Sequence, residues 1–236
     1  MVITGNASEN IYKVFPSTAM VIGFQYKGQL SSITNNSENK LSPMGITGIG
    51  DSVKIFRNTA GIGTILVYFT ETGFAHFSTS PAHELFNQSV SLDDLFEQEN
   101  IRILDEILAL AITDAERIKA VETFLVSQLK EKSVDQLIIR AVQFIYHSKG
   151  DIRIKSLNEQ LHISQSAFEK RFRKLVGATP KKFASIVRFN TVLQDIGKEK
   201  SLTEICYDNN FFDQAHFIKE FKQFTGDTPD NFRRLL

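Results

Sequence analysis

I154-K-S-L157-N-E-Q-L-H162-I163-S164-Q-S-A-F168-E-K170-R-F172-R-K-L175-V-G177-A-T179-P180-K-K-F183 is answered further along the chain by L202-T-E-I205-C-Y-D-N-N210-F211-F-D213-Q-A-H-F217-I-K219-E-F221-K-Q-F224-T-G226-D-T228-P229-D-N-F232. Ile154, Leu157 and Ile163 match Leu202, Ile205 and Phe211 at a shift of 48. Phe168, Phe172, Leu175, Gly177, Thr179-Pro180 and Phe183 match Phe217, Phe221, Phe224, Gly226, Thr228-Pro229 and Phe232 at a shift of 49. The extra residue falls between the two matching blocks, in a turn, where insertions are best tolerated.

Each copy reads as a short helix, a tight turn and a second helix. Ser156-x-x-Glu159 and Ser201-x-x-Glu204 have capping-box spacing, in which hydroxyl and carboxylate satisfy free amides at a helix start. Ser164 and Asp213 stand where an N-cap opens the second helix. Phe168, Phe172 and Leu175 recur at i, i+4 and i+7, as do Phe217, Phe221 and Phe224, which gives each second helix one apolar face. Gly177 and Gly226 suit left-handed C-caps, and the Thr-Pro after each begins a new element. A two-helix repeat with polar outer faces is often only a packed helical pair. Two copies joined by one long helix are more specific, because they would set two recognition helices about one DNA turn apart, roughly 34 Å.

The segment from about Ser133 to Leu236 resembles the DNA-binding domain of AraC/XylS-type transcription regulators. That family's second copy carries G-F-x-D-x-x-x-F-x-[RK]-x-F-K followed by G-x-[TS]-P. This chain has N210-F-F-D213-Q-A-H-F217-I-K219-E-F221-K222 and then G226-D-T228-P229. It departs from the pattern at the turn glycine, which is His162 in the first copy and Asn210 in the second. The small residue between the paired helices is Cys206 in the second copy but Asn158 in the first, which predicts a less closely packed first unit. Carried onto this chain, the family's exposed base-facing positions are Gln165, Ser166, Glu169 and Lys170 in the first unit, and Gln214, His216 and Lys219 in the second. Arg173 and Lys222, one turn further on, are expected at phosphates. Lys181, Lys182 and Arg188 on the connecting helix are phosphate candidates too, with a solvated basic face as the equal alternative.

The rest of the chain differs in character. Residues 133–236 hold 17 Lys and Arg against 12 Asp and Glu, a net of +5, while residues 1–132 hold 10 against 15, a net of −5. A basic half joined to an acidic one suggests a nucleic-acid module attached to something that does not touch DNA. Short β-branched and aromatic runs, Ala19–Tyr26, Gly45–Gly50, Ser52–Arg57 and Gly63–Thr70, lie between glycine turns and predict strands. The fold expected is α+β: a small β-rich barrel or sandwich over 1–92, a helical linker region over 93–132, and an all-α domain with two helix-turn-helix units joined by a long helix over 133–236. The β-rich part resembles the degenerate cupin-like sensor regions that precede such DNA-binding domains. Its closest motifs are G73-F-A-H-F-S-T-S-P81-A-H83-E84-L85 and S89-V-S-L92-D93-D94-L-F96.

In the linker region, Ile101, Leu104, Leu108 and Ala111 share one helical face, and Thr113-x-x-Glu116 caps a second helix with Ile118, Val121, Leu125 and Leu129 on a stripe. That pair is either a dimerisation surface, by family analogy, or a packing layer on the β domain. Lys130–Ser133 reads as the link to the next helix, which Ser133-x-x-Gln136 opens and along which Val134, Leu137, Ile138, Ala141, Val142 and Ile145 keep the helical period.

Other chemistry finds little support. The chain has one cysteine, so it holds no intramolecular disulfide and no cysteine-based zinc site. His76, His83 and Glu84 are the only metal-like cluster, and a capping or surface role suits them better. No cofactor fingerprint or P-loop is present. Phe24, Tyr26, Tyr68 and Phe69 are candidates for lining a small-molecule pocket, although strand aromatics are more commonly plain core. MVITGNASEN is not a secretory signal, and no apolar run approaches the ~20 residues of a membrane span, so a cytoplasmic, non-enzymatic protein is expected. The resemblance implies double-stranded DNA as the partner, with RNA polymerase, a small-molecule effector and a second copy of the chain as further candidates and no membrane. An enzyme carrying a DNA-binding domain is the rival reading. It would need a reactive cysteine or metal outside the repeats, and the sole cysteine lies inside one. A protein-binding helical array is the third.

Overall fold

A computed structural model describes residues 2–4, 10–35, 37–131, 133 and 135–235. The N-terminal half is β-rich: β1 (Val2–Thr4), β2 (Asn10–Val14), β3 (Val21–Lys27), β4 (Leu30–Thr34), β5 (Ser37–Lys40), β6 (Met44–Thr47), β7 (Lys54–Asn58), β8 (Gly63–Tyr68) and β9 (Ser89–Ser91). They pair antiparallel into two sheets, ordered β1-β8-β3-β6-β9 and β2-β7-β4-β5. Gly28, at φ 79°, turns the chain from the first sheet into the second. Ile22, Phe24, Met44, Ile46 and Ile65 of the larger sheet and Phe56 of the smaller are buried. The runs read as strands from the sequence correspond to β3, β6, β7 and β8. The polar β4 and β5 were not legible, because all four side chains of β5 face solvent and no hydrophobic alternation marks it.

Two helices follow, α1 (Gln98–Leu110) and α2 (Asp114–Ser127). Ile101, Leu104 and Leu108 of α1 are buried as their spacing predicts, and the Thr113–Glu116 capping box is formed. On α2 Val121 is buried and Leu125 packs half-buried on the core as expected, Phe124 is buried beside them, Ile118 is exposed, and Leu129 lies exposed beyond the helix end. Phe124 meets Phe24 and Phe96 edge to face, and this fastens the hairpin to the larger sheet. The hairpin therefore does pack on the β half, while α1 keeps Ile103, Ile107 and Leu110 exposed on its far side.

The C-terminal half is helical: α3 (Gln136–His147), α4 (Ile154–Gln160), α5 (Gln165–Val176), α6 (Pro180–Ile196), α7 (Leu202–Asp208), α8 (Gln214–Thr225) and α9 (Pro229–Arg234). The architecture is α+β, as the sequence indicates. Two expected caps did not form. Asp135 rather than Ser133 caps α3, its carboxylate accepting the Ile138 N–H at 3.3 Å. The first capping box is absent, because α4 already begins at Ile154 and Ser156 lies within it. Val134 and Lys132 fall outside the described residues. Buried side chains form one connected cluster from Met20 to Phe224, so the two halves share a core.

Candidate nucleic-acid interface

The α4–α5 and α7–α8 pairs are the two helix-turn-helix units, and α6 joins them. In each turn a non-glycine residue takes the left-handed conformation, His162 at φ 51° and Asn210 at φ 55°. Local hydrogen bonding then fixes where each second helix starts. The Ser164 hydroxyl accepts the Ala167 N–H at 3.4 Å, and the Asp213 carboxylate accepts the His216 N–H at 2.7 Å. Each second helix ends on a left-handed glycine, Gly177 or Gly226, whose N–H returns to Arg173 or Lys222. Thr179 and Thr228 cap the following helices with proline in the first turn.

Phenylalanines hold each unit from beneath. Phe168, Phe172 and Phe183 pack edge to face in the first unit, and Phe217, Phe221 and Phe232 do so in the second, with Phe189 of α6 added. Cys206 is fully buried, and burial first and the Asp213 charge second push its thiol pKa up, away from nucleophilic reactivity. Asn158, its counterpart, is also buried, and its side-chain oxygen has no hydrogen-bond partner.

The polar faces look outward. On α5, Gln165, Ser166, Lys170 and Arg173 are exposed and Glu169 is half-buried. Together with His83 they line one open cleft of about 640 Å³. On α8, Gln214, His216, Lys219 and Lys222 are exposed. Lys219 and Lys222 make no ion pair among the described residues. Gln214 donates to the Thr203 hydroxyl at 2.8 Å, while His216 meets Phe211 edge to face and lies 3.3 Å from Glu220. Glu220 is held in turn by Arg188, whose guanidinium sits over the Phe211 ring. Arg188 is therefore a brace between α6 and α8, not a free phosphate ligand. Lys182 likewise bridges to Asp51 of the β half at 2.9 Å, and only Lys181 of the three remains exposed.

The sequence did not reveal how the β half meets the units. A 3-10 turn at Ala82–Leu85 packs on α5, and a Cβ at Gly177 would come within 2.5 Å of Met20 Cε and 3.2 Å of the Ala82 carbonyl. A Cβ at Gly226 would lie 3.5 Å from Val53. Both recognition helices thus rest their C-terminal ends on the β half. Lys13 pairs with Asp227 at 2.6 Å, Phe15 meets Phe232, and Tyr146 donates to Thr18 at 2.8 Å and to Glu71. Burial first, then the bond to Glu71, pushes the Tyr146 hydroxyl pKa up. Burial raises the Asp51 carboxyl, but the Lys182 ammonium and the Asn87 amide outweigh it and leave its pKa lowered.

The four aromatics considered for a pocket do not share a wall. Phe24 and Phe69 are core residues, Tyr68 is 54% exposed, and Tyr26 stacks under Arg117. A register shift between Gln25 and Lys27 breaks the alternation that would have set Tyr26 beside Phe24. His76 and His83 lie on separate 3-10 turns, and no group of three metal-ligating side chains occurs among the described residues. No helix is long and apolar enough to cross a membrane among them.

A family model described as a helix-turn-helix domain matches residues 157–235. The Msm operon regulatory protein of Streptococcus mutans is 26% identical over 157 residues, covering 65% of this chain and 56% of that protein. An uncharacterised HTH-type transcriptional regulator of Haemophilus influenzae is 23% identical over 158 residues, covering 66% of this chain and 52% of its own length. The chain thus spans about half the length of these curated relatives. The solved structure of ToxT from Vibrio cholerae aligns over 97% of this chain and 98% of that one, with a TM-score of 0.50 and 12% identity, which is a likeness of fold. With two units joined by α6 and the family model lying across both, the chain carries a double helix-turn-helix domain.

Proposed function

We propose that this chain is a sequence-specific DNA-binding transcription regulator, not an enzyme, that acts in the cytoplasm by placing α5 and α8 in successive major grooves. One observation carries the reading. Both helices are capped and wedged in the same way, and each turns a polar, partly cationic face to solvent, starting at its N-terminal end. That end of a recognition helix is the part that meets base edges. Gln165, Ser166, Glu169 and Lys170 are assigned to bases in the first unit, and Gln214 and Lys219 in the second. Gln suits the adenine edge and Lys the guanine acceptors. His216 is tied to Glu220 and Phe211, so its contribution is to set the helix surface as much as to read a base. Arg173 and Lys222 are assigned to phosphates, which set register without reading sequence.

The β half is proposed as the sensing or oligomerising module. Its grip on Gly177 and Gly226 gives it a lever on both recognition helices. An effector would act by binding one arrangement of the two halves better than another. The exposed stripe Ile103, Ile107 and Leu110 on α1 supports a second copy of the chain as partner, and RNA polymerase is a further partner of the bound complex. The test is selection of genomic fragments by the purified full-length chain, with binding followed across a salt series. Two short blocks about one turn apart, with affinity falling as salt rises, are the expected outcome. Retention of no duplex above background at low salt, with and without cell extract, would overturn the reading.

A further inference from the structure

The second unit is longer than the first by one residue, and the repeat register identifies it. Phe211 answers Ile163 at a shift of 48 and Asp213 answers Ser164 at a shift of 49, so Phe212 has no counterpart. Its neighbour Phe211 is buried against Phe217 and beneath Arg188. Phe212 is 91% exposed, the highest value among the large apolar side chains described. A phenyl ring left in water contributes almost no burial to folding.

Its position is nevertheless fixed. The left-handed Asn210 turns the chain, the Phe211 N–H donates to the Cys206 carbonyl at 3.1 Å, and Asp213 closes the start of α8 through the His216 N–H. Phe212 therefore stands at the mouth of the recognition helix, just ahead of exposed Gln214 and Lys219. The phosphate oxygens offer a phenyl ring no apolar surface, and the deoxyribose carbons beside them are alike at every nucleotide. The apolar mark on the floor of the major groove is the thymine C5-methyl, and Phe is one of the side chains that packs on it.

We propose that Phe212 reads a thymine methyl at the edge of the second half-site. This rests on the DNA-binding reading above. It makes the two units unlike in kind, since the first has only polar readers and the second adds a shape-and-methyl contact at a position where a cytosine or a uracil would leave the ring unpaired.

The test uses the full-length chain and duplexes recovered from a randomised pool, each then remade with single thymines of the second block replaced by deoxyuridine. One such replacement is expected to weaken wild-type binding about fourfold, the worth of one buried methyl. Phe212→Ala should lose at least that much on the parent duplex and show no further loss at that position, while Phe212→Leu should keep part of the methyl response. The inference is overturned if Phe212→Ala binds like wild type, if it stays as sensitive to deoxyuridine as wild type, or if no thymine methyl matters. An unchanged affinity accompanied by lost transcriptional activation would assign the ring to a protein partner instead. A wild-type chain that captured no duplex would remove the DNA-binding reading itself, whereas specific capture with an indifferent Phe212 would remove this inference alone.

Discussion

The two helix-turn-helix units are built to one plan and finished differently. In the second, Cys206 fills the space between the paired helices, Asn210 makes the turn, and Glu220 is locked to Arg188 with side-chain exposures of 13% and 16%. In the first, Asn158 leaves an oxygen unpaired, His162 makes the turn, and the corresponding position holds Arg171, which reaches Asp135 at the α3 cap in a more open pair. The first unit also faces His83 across its polar cleft, whereas the second presents Phe212 freely. A repeat thus preserves the backbone frame, while the few positions that differ decide how firmly each recognition helix is held and what it shows to a groove.

The largest effects should come from the phenylalanine wedges. Phe221→Ala and Phe172→Ala should each cost about 3–5 kcal/mol. The loss at Phe221 should be the larger, because that ring meets Phe189, Phe217 and Phe232 whereas Phe172 meets Phe168 and Phe183. Urea unfolding would read both, and equal losses would break the asymmetry. The braces separate the units further. Glu220→Ala strands a mostly buried guanidinium and should cost about 3 kcal/mol, while Arg171→Ala should cost about 1 kcal/mol or less because water screens its pair.

On DNA, Lys219→Ala should lose about 1–3 kcal/mol, concentrated at one base pair, and Lys222→Ala should weaken all sequences alike and flatten the salt dependence. Competition with single-base variants separates the two, and if Lys219→Ala changed neither affinity nor preference its assignment would be wrong. Smaller again, Asn158→Cys should gain about 1 kcal/mol by removing the unpaired oxygen, measured as a shift in unfolding midpoint. His162→Gly should gain about 0.5 kcal/mol by relieving a left-handed residue and Asn210→Gly almost nothing. A loss at His162 would mean that its side chain, and not only its backbone, serves the first unit.

The helical half was legible because its signals are local. Capping side chains, the i, i+4, i+7 phenylalanines, glycine stops and Thr-Pro starts each act within a turn or two, and nearly all reappear in α4 to α9. The failures have local causes as well: Asp135 outcompeted Ser133 as a cap, and the Ser156 box was swallowed by a helix that began earlier. The β half was harder, since exposed strands such as β5 carry no alternation, and a register shift in β3 lies between Phe24 and the end of the strand that holds Tyr26. The extra residue in the turn of the second copy was legible, but the exposure of Phe212 was not.

By itself, then, the sequence determined the doubled units, their faces and the residues on them, because helix periodicity and capping are written within single elements. Only the tertiary structure decided which cations are free. Arg188 and Lys182 look like surface basics in sequence, yet partners 32 residues away on α8 and across the core in the β half claim them. The same long-range packing set the ends of α5 and α8 against Met20, Ala82 and Val53. Such contacts depend on where distant segments come to rest, which no local pattern encodes.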